Sequence, residues 1–173
     1  FEVMAMPTSY LIDRKGNIIW YMPRSEEKKK NGDSTRRSLR MTTNGSFTYL
    51  DNTNCYEKDI FGHILWQAPN DGKISGDSTE YYHHDFRKLS NQTYIACSYK
   101  FIREPHFFDL SKTWKVRYNT VIQYDSTKKV IWFWNEKDHV DGSLIFENGD
   151  PTINDFPGTH MNGFDFDDRQ NAF

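Results

Sequence analysis

The residues of this chain best able to do chemistry are histidines and one asparagine. Tyr81-Tyr82-His83-His84-Asp85-Phe86 carries two adjacent imidazoles, and Thr159-His160-Met161-Asn162-Gly163-Phe164 carries an imidazole two residues before an amide. Positions i and i+2 of a strand share a face, so His160 and Asn162 would present a ring nitrogen and a side-chain amide to the same point. By the same alternation only one of His83 and His84 would face that point, and His84 is the favoured one. Imidazole titrates near neutral pH, so gathered rings can serve as nucleophile, proton acceptor and proton donor. For His84 the plain structural alternative is a strand-end cap that bonds a backbone group. His63 falls in a turn and is expected in solvent, while His106 and His139 are expected in loops and given no role.

Other chemistries lack their residues. Asp85, Asp138 and Asp141 lie near histidines in the sequence, but no compact metal-ligand spacing such as HExxH or paired CxxC occurs, so no metal site is assigned. There is no GxxxxGK[ST] phosphate loop, no GxSxG elbow and no dinucleotide GxGxxG.

An internal repeat supplies the elements that would position the histidines. Asp13-Arg-Lys-Gly16-Asn-Ile-Ile-Trp20, Asp59-Ile-Phe-Gly62-His-Ile-Leu-Trp66 and Asp125-Ser-Thr-Lys128-Lys-Val-Ile-Trp132 align without gaps. Each is read as a β-hairpin turn: the Asp bonds its own backbone, the Gly supplies a positive φ, and the returning strand ends on Trp. Lys128 in the Gly place requires another turn type or some strain. A second unit alternates with the first: Leu39 to Leu50 resembles Phe86 to Cys97, each read as strand, Asn-containing turn, strand. Four short strands per period, with Trp20 and Trp66 46 residues apart, is the pattern of a β-propeller blade. Repeat units are placed around 9–50, 51–97 and 118–173 of one partial propeller spanning 1–173, with an insertion near 100–117. Closed propellers have about four to eight blades, so three to four make part of a ring. A β-sandwich of short strands is the alternative fold.

Counting from each Trp finds the start of the next inner strand, where propeller ligand sites form. Eighteen residues after Trp66 stands His84; eighteen after Trp20 stands Ser38; twenty-eight after Trp132 stands His160. A residue demanded by blade structure would recur in all three places, so the histidines are read as site residues.

Composition agrees. The 173 residues include 13 Phe, 10 Tyr and 5 Trp, together 16%, which favours pleated half-buried surfaces and an all-β fold. Lys and Arg number 22 against 24 Asp and Glu, which argues against a nucleic-acid partner held by bulk charge. Mean hydropathy is −0.83 and no apolar run approaches the roughly 20 residues of a membrane helix, so no membrane partner is indicated either. Cys55 and Cys97 make no disulfide scaffold. The chain opens at Phe1 with no signal-peptide pattern and stops at Phe173 in what reads as a strand; both ends look cut.

Charge is uneven. Arg24 to Arg40 holds seven basic residues and is read as a solvated loop. Glu136 to Asp168 holds nine acidic residues around His160, enough negative charge to raise that imidazole's pKa. Asn44-Gly-Ser and Asn91-Gln-Thr fall in expected turns, which explains them without glycosylation.

With these features in place, the chain resembles the bacterial arylsulfate sulfotransferases, a six-bladed propeller family. The likeness runs from about Tyr10 to Phe173. It rests on the Tyr56-Glu-Lys-Asp-Ile-Phe-Gly-His-Ile-Leu-Trp hairpin, the His84 strand with its Asn turn, Thr120-Val-Ile-Gln-Tyr-Asp leading to Trp132, and His160-Met-Asn162 followed by Asp165-Phe-Asp. The resemblance implies a sulfotransferase that needs no nucleotide sulfate donor or other cofactor. It moves a sulfuryl group from a phenolic sulfate ester to a phenol through a sulfohistidine. By that resemblance His84, His160 and Asn162 are catalytic, while the attacking His and a sulfuryl-binding Arg fall beyond Phe173, so this piece lacks the nucleophile. The family's active-site disulfide also maps past the end and does not correspond to Cys55 and Cys97. The implied location is periplasmic or secreted, and a homo-oligomer stays open.

Tyr82 and His83 are assigned to substrate binding, and Tyr81, Phe107, Phe108, Trp114 and Phe156 are further rings that could sandwich an aryl group. Two other functions fit a propeller: a quinoprotein-like dehydrogenase with a quinone and a metal, and a non-catalytic ligand-binding propeller.

Overall fold

A computed structural model describes residues 9–22, 36–51, 54–106, 109–140, 159–165 and 167. Among them the chain is all-β. A two-stranded antiparallel sheet pairs β1 (Ser9–Ile12) with β2 (Ile18–Met22). A four-stranded meander follows in the order β3 (Arg36–Met41), β4 (Phe47–Asp51), β5 (Asn54–Lys58), β6 (Ile64–Gln67). A second meander comprises β7 (Phe86–Lys88), β8 (Tyr94–His106), β9 (Asp109–Tyr124) and β10 (Val130–Asn135), all antiparallel, and a 3-10 turn at Glu136–Asp138 ends it. Two successive four-stranded meanders preceded by a hairpin are consistent with part of a β-propeller.

Local sequence explains the turns. In each hairpin the Asp carboxylate accepts backbone N–H groups two and four residues on: Lys15 and Asn17 for Asp13, Phe61 and His63 for Asp59, Thr127 and Lys129 for Asp125. The third turn position needs the left-handed region. Gly16 and Gly62 hold it at φ 86° and 92°, and Lys128 is forced into it at φ 73°. Lys128 therefore keeps the turn type and carries the strain of a side chain there. In the alternating hairpins Gly45 (φ 83°) and Gln92 (φ 65°) do the same.

Two of the three repeat Trp residues pack on the next sheet, whereas Trp132 of β10 is exposed. Trp20 stacks on Phe47 of β4 with centroids 4.4 Å apart, and Trp66 stacks on Tyr94 of β8 at 3.8 Å. Trp66 lies in the main core with Leu50, Tyr82, Phe86, Tyr94 and Tyr124. A buried carboxylate also joins the two meanders. Glu57 of β5 accepts from Ser46, from Tyr94 and from Lys88 Nζ at 3.0 Å. Burial pushes its carboxyl up, but those three donors outweigh burial and hold it below the ordinary value.

β8 and β9 are 13 and 16 residues long, against 5 each for β4 and β5, and their pairing continues past Lys100–Tyr118 to Pro105–Thr113. The extra residues of this period thus lengthen one hairpin. His106, expected in a loop, instead ends β8, while His139 lies in the turn that follows the 3-10 segment, with its ring stacked on Trp134 at 5.4 Å.

Candidate active site

His84 is positioned by an abrupt change of backbone direction. Its φ is 55°, and Ser38, the equivalent position of the preceding meander, has φ 52°. The left-handed position therefore belongs to the repeat, whereas the imidazole belongs to one copy of it. This kink breaks the strand alternation between His83 and His84, so the expectation that only one of the pair faces the site does not hold. The His83 and His84 rings lie 5.2 Å apart, His84 and His160 4.7 Å apart, and His83 and His160 6.2 Å apart. Three imidazoles separated by up to 77 residues share one cluster.

The rings differ in exposure. His160 is exposed, His84 half-buried and His83 buried. His83 Nε2 lies 3.1 Å from the Ser98 carbonyl, an acceptor, so the neutral ring carries its proton on Nε2 and leaves a lone pair on Nδ1. Nδ1 is buried and has no hydrogen-bond partner among the described residues. Burial pulls the His83 pKa down to about 4; the Ser98 bond offsets part of that, and His84, His160 and Arg117 add to the lowering. His83 is therefore neutral at pH 7.

Residues 159–165 do not form the expected strand; side-chain hooks hold them instead. Asn119 Oδ1 accepts from the Met161 N–H at 3.1 Å, and Asn119 Nδ2 donates to Thr159 Oγ1 at 2.6 Å and to Glu136 Oε2 at 2.9 Å. Thr159 Oγ1 also donates to Glu136. On the other side of His160, Arg87 donates to the Phe164 carbonyl and to Asp165 at 3.2 Å. Arg87 is itself held by Asp85 Oδ2 at 2.9 and 3.1 Å, and Asp85 Oδ1 accepts from Ser38 at 2.6 Å. Burial pushes the Asp85 carboxyl up, but Ser38, Arg87 and Arg40 together hold it below the ordinary carboxylate range. The residues flanking the His84 kink thus also anchor His160. Asn162 is exposed, two residues beyond His160.

Tyr82 is not in the cluster. It is buried in the core, with its hydroxyl on the Pro69 carbonyl and 2.6 Å from the Tyr124 hydroxyl, away from the imidazoles it was expected to join. Tyr81, its neighbour, stacks on Tyr99 at 5.1 Å, and Tyr99 lies 5.1 Å from the His83 ring. Phe107, Phe108 and Phe156 lie outside the described residues, and Trp114 belongs to β9. Much of the acidic run proposed to act on His160 is also outside them. Of its described members, Glu136 and Asp165 are bonded to Asn119 and Arg87. His63 is exposed and bonds Asp59 at 2.8 Å. Cys55 and Cys97 are free and buried, and burial pushes the Cys97 thiol up to about 12, so neither is a reactive thiolate at neutral pH. Among the described residues no group of three or more His, Cys, Asp or Glu is arranged to hold a metal.

Sequence reasoning missed Asn119, Glu136, Asp85 and Arg87 as the scaffold of the site, because their partners are distant along the chain. The cluster can bind an anion, accept a proton at a neutral imidazole and donate one from a protonated ring. A family model described as arylsulfotransferase (ASST) matches residues 2–173. Among curated proteins none matches the chain.

Proposed function

Because the chain belongs to the arylsulfotransferase family, we propose that it contributes His84, His160 and Asn162 to transfer of a sulfuryl group from a phenolic sulfate ester to a phenol, without a nucleotide donor and through a sulfohistidine. The observation that carries this is the 4.7 Å separation of the His84 and His160 rings. In the first displacement an unprotonated imidazole nitrogen bonds to sulfur while the sulfur–oxygen bond to the aryl group breaks. The electron pair leaves on the phenolate, which takes a proton from a neighbouring imidazolium. In the second, an acceptor phenol gives its proton to an imidazole, its oxygen bonds to sulfur, and the nitrogen–sulfur bond breaks.

Dividing the transfer in this way replaces one difficult step by two easier ones. The resemblance puts the attacking imidazole on a later blade and gives His84 and His160 the sulfuryl-binding and proton-handling roles. The Asn162 amide donates to a sulfuryl oxygen, where fixed donors stabilise the charge that develops in transfer. A periplasmic or secreted location belongs to the same proposal.

The test supplies 4-nitrophenyl sulfate and a phenol to the full-length polypeptide carrying this sequence, with no nucleotide present. Acceptor-dependent release of 4-nitrophenol with ping-pong kinetics is expected. Transfer that requires a nucleotide sulfate donor, or no transfer to the phenol, overturns the proposal.

A further inference from the structure

The lengthened β8–β9 hairpin carries an aromatic and cationic surface that runs directly into the histidine cluster. Tyr99 and Phe101 alternate on β8, and Phe101 pairs across with Arg117 of β9. Their rings meet edge-on at 5.4 Å, and Tyr81 completes the group, stacked on Tyr99 at 5.1 Å and edge-on to Phe101 at 5.5 Å. All three rings are half-buried, so part of each faces solvent. Lys115 Nζ sits 4.1 Å from the Phe101 centroid and Arg117 Cζ 5.6 Å from that of Tyr99.

The two cations differ. Lys115 lies 4.0 Å from Asp77, whereas among the described residues no carboxylate pairs with Arg117, whose one hydrogen bond is a 3.5 Å contact to the Thr159 carbonyl. Arg117 is close enough to the cluster that its charge helps keep His83 unprotonated. A guanidinium that no carboxylate of the described residues pairs, beside flat apolar rings and a neutral imidazole, presents matched surfaces to a flat apolar body that bears an anionic group.

We propose that Arg117 and the Tyr81–Tyr99–Phe101 rings form a binding site for an aromatic anion, with the anionic group on Arg117 beside the histidines and the aryl ring against Tyr99 and Phe101. The site rests on the sulfotransferase proposal for its physiological ligand, an aryl sulfate ester, but its binding chemistry stands on the hairpin alone. Arg117 is a binding residue here, distinct from the proton-handling histidines.

The probes are 1-naphthalenesulfonate, which cannot transfer a sulfuryl group, and the uncharged 1-naphthalenesulfonamide, each titrated by calorimetry into the full-length polypeptide. Wild type is expected to prefer the sulfonate. Arg117→Gln should weaken the sulfonate about tenfold, the loss of roughly one charge-assisted hydrogen bond, and leave the sulfonamide unchanged. Arg117→Lys should retain part of the preference, and circular dichroism confirms that each variant folds. Tyr99→Leu should weaken both probes. Equal affinity of wild type for the two probes, or a preference that survives Arg117→Gln, overturns the site. Sulfonate binding that persists while no aryl sulfate is turned over sinks the sulfotransferase proposal and leaves the anion site standing.

Discussion

His83 makes folding depend on pH in a way its sequence position does not announce. Its ring is buried, its Nε2–H is committed to the Ser98 carbonyl, and its pKa in the folded chain is about 4. In the unfolded chain the ring takes the ordinary value near 6.5. The unfolded state therefore binds a proton first as pH falls, and native stability drops between these two values; it is fully present above about pH 7. The linkage relation puts the loss at about 2 kcal/mol at pH 5 and about 3 kcal/mol at pH 4 for this one group. Other groups titrate over the same range, so the informative quantity is a difference. Urea unfolding of wild type and of His83→Asn is followed at pH 7, 5 and 4. The variant has no ring to charge, so its stability should fall by about 2 kcal/mol less than wild type between pH 7 and pH 5. Equal pH dependence in the two proteins, or a His83 ring titrating near 6.5 in an NMR titration of the folded chain, refutes the assignment.

Other perturbations test the scaffold. Trp66→Ala removes the ring that joins the meanders and should cost about 3–5 kcal/mol in chemical denaturation, whereas Trp20→Ala, at the smaller Trp20–Phe47 contact, should cost less. Asn119→Ala takes the acceptor from the Met161 N–H; amide exchange at Met161 should speed up and stability fall by about 1–3 kcal/mol, with unchanged exchange contradicting the clamp. Lys128→Gly relieves a φ of 73° and should stabilise the fold by up to about 1 kcal/mol, while Gly62→Ala at φ 92° should destabilise it by a similar amount.

What the sequence revealed and what it hid divide along a physical line. The Asp-to-Trp hairpins were legible because their causes are local: an Asp that bonds its own backbone and a position that must accept positive φ, even when Lys128 fills it. Counting from Trp66 leads to His84 because the repeat keeps its spacing, and Ser38 with its matching φ marks the same place one period earlier. The inward turn of His83 was hidden, since alternation presumes a regular strand and the kink at His84 breaks it. Tyr82 and Tyr81 are adjacent and chemically identical, and only the packing of Tyr124 and Tyr99 decides that one is core and the other lies beside the site. The His-x-Asn spacing around His160 suggests a strand. In the fold the segment is hung from Asn119 and Arg87, whose contacts span 40 to 78 residues and leave no periodic trace.

The role of the gathered imidazoles is tested most directly by measuring nucleotide-free transfer from 4-nitrophenyl sulfate to phenol in His84→Ala and His160→Ala of the full-length polypeptide, each shown to be folded. Removal of a proton-handling ring should lower kcat/KM by about 100- to 10,000-fold in both variants. Transfer at the wild-type rate in either folded variant would contradict a catalytic role for the cluster.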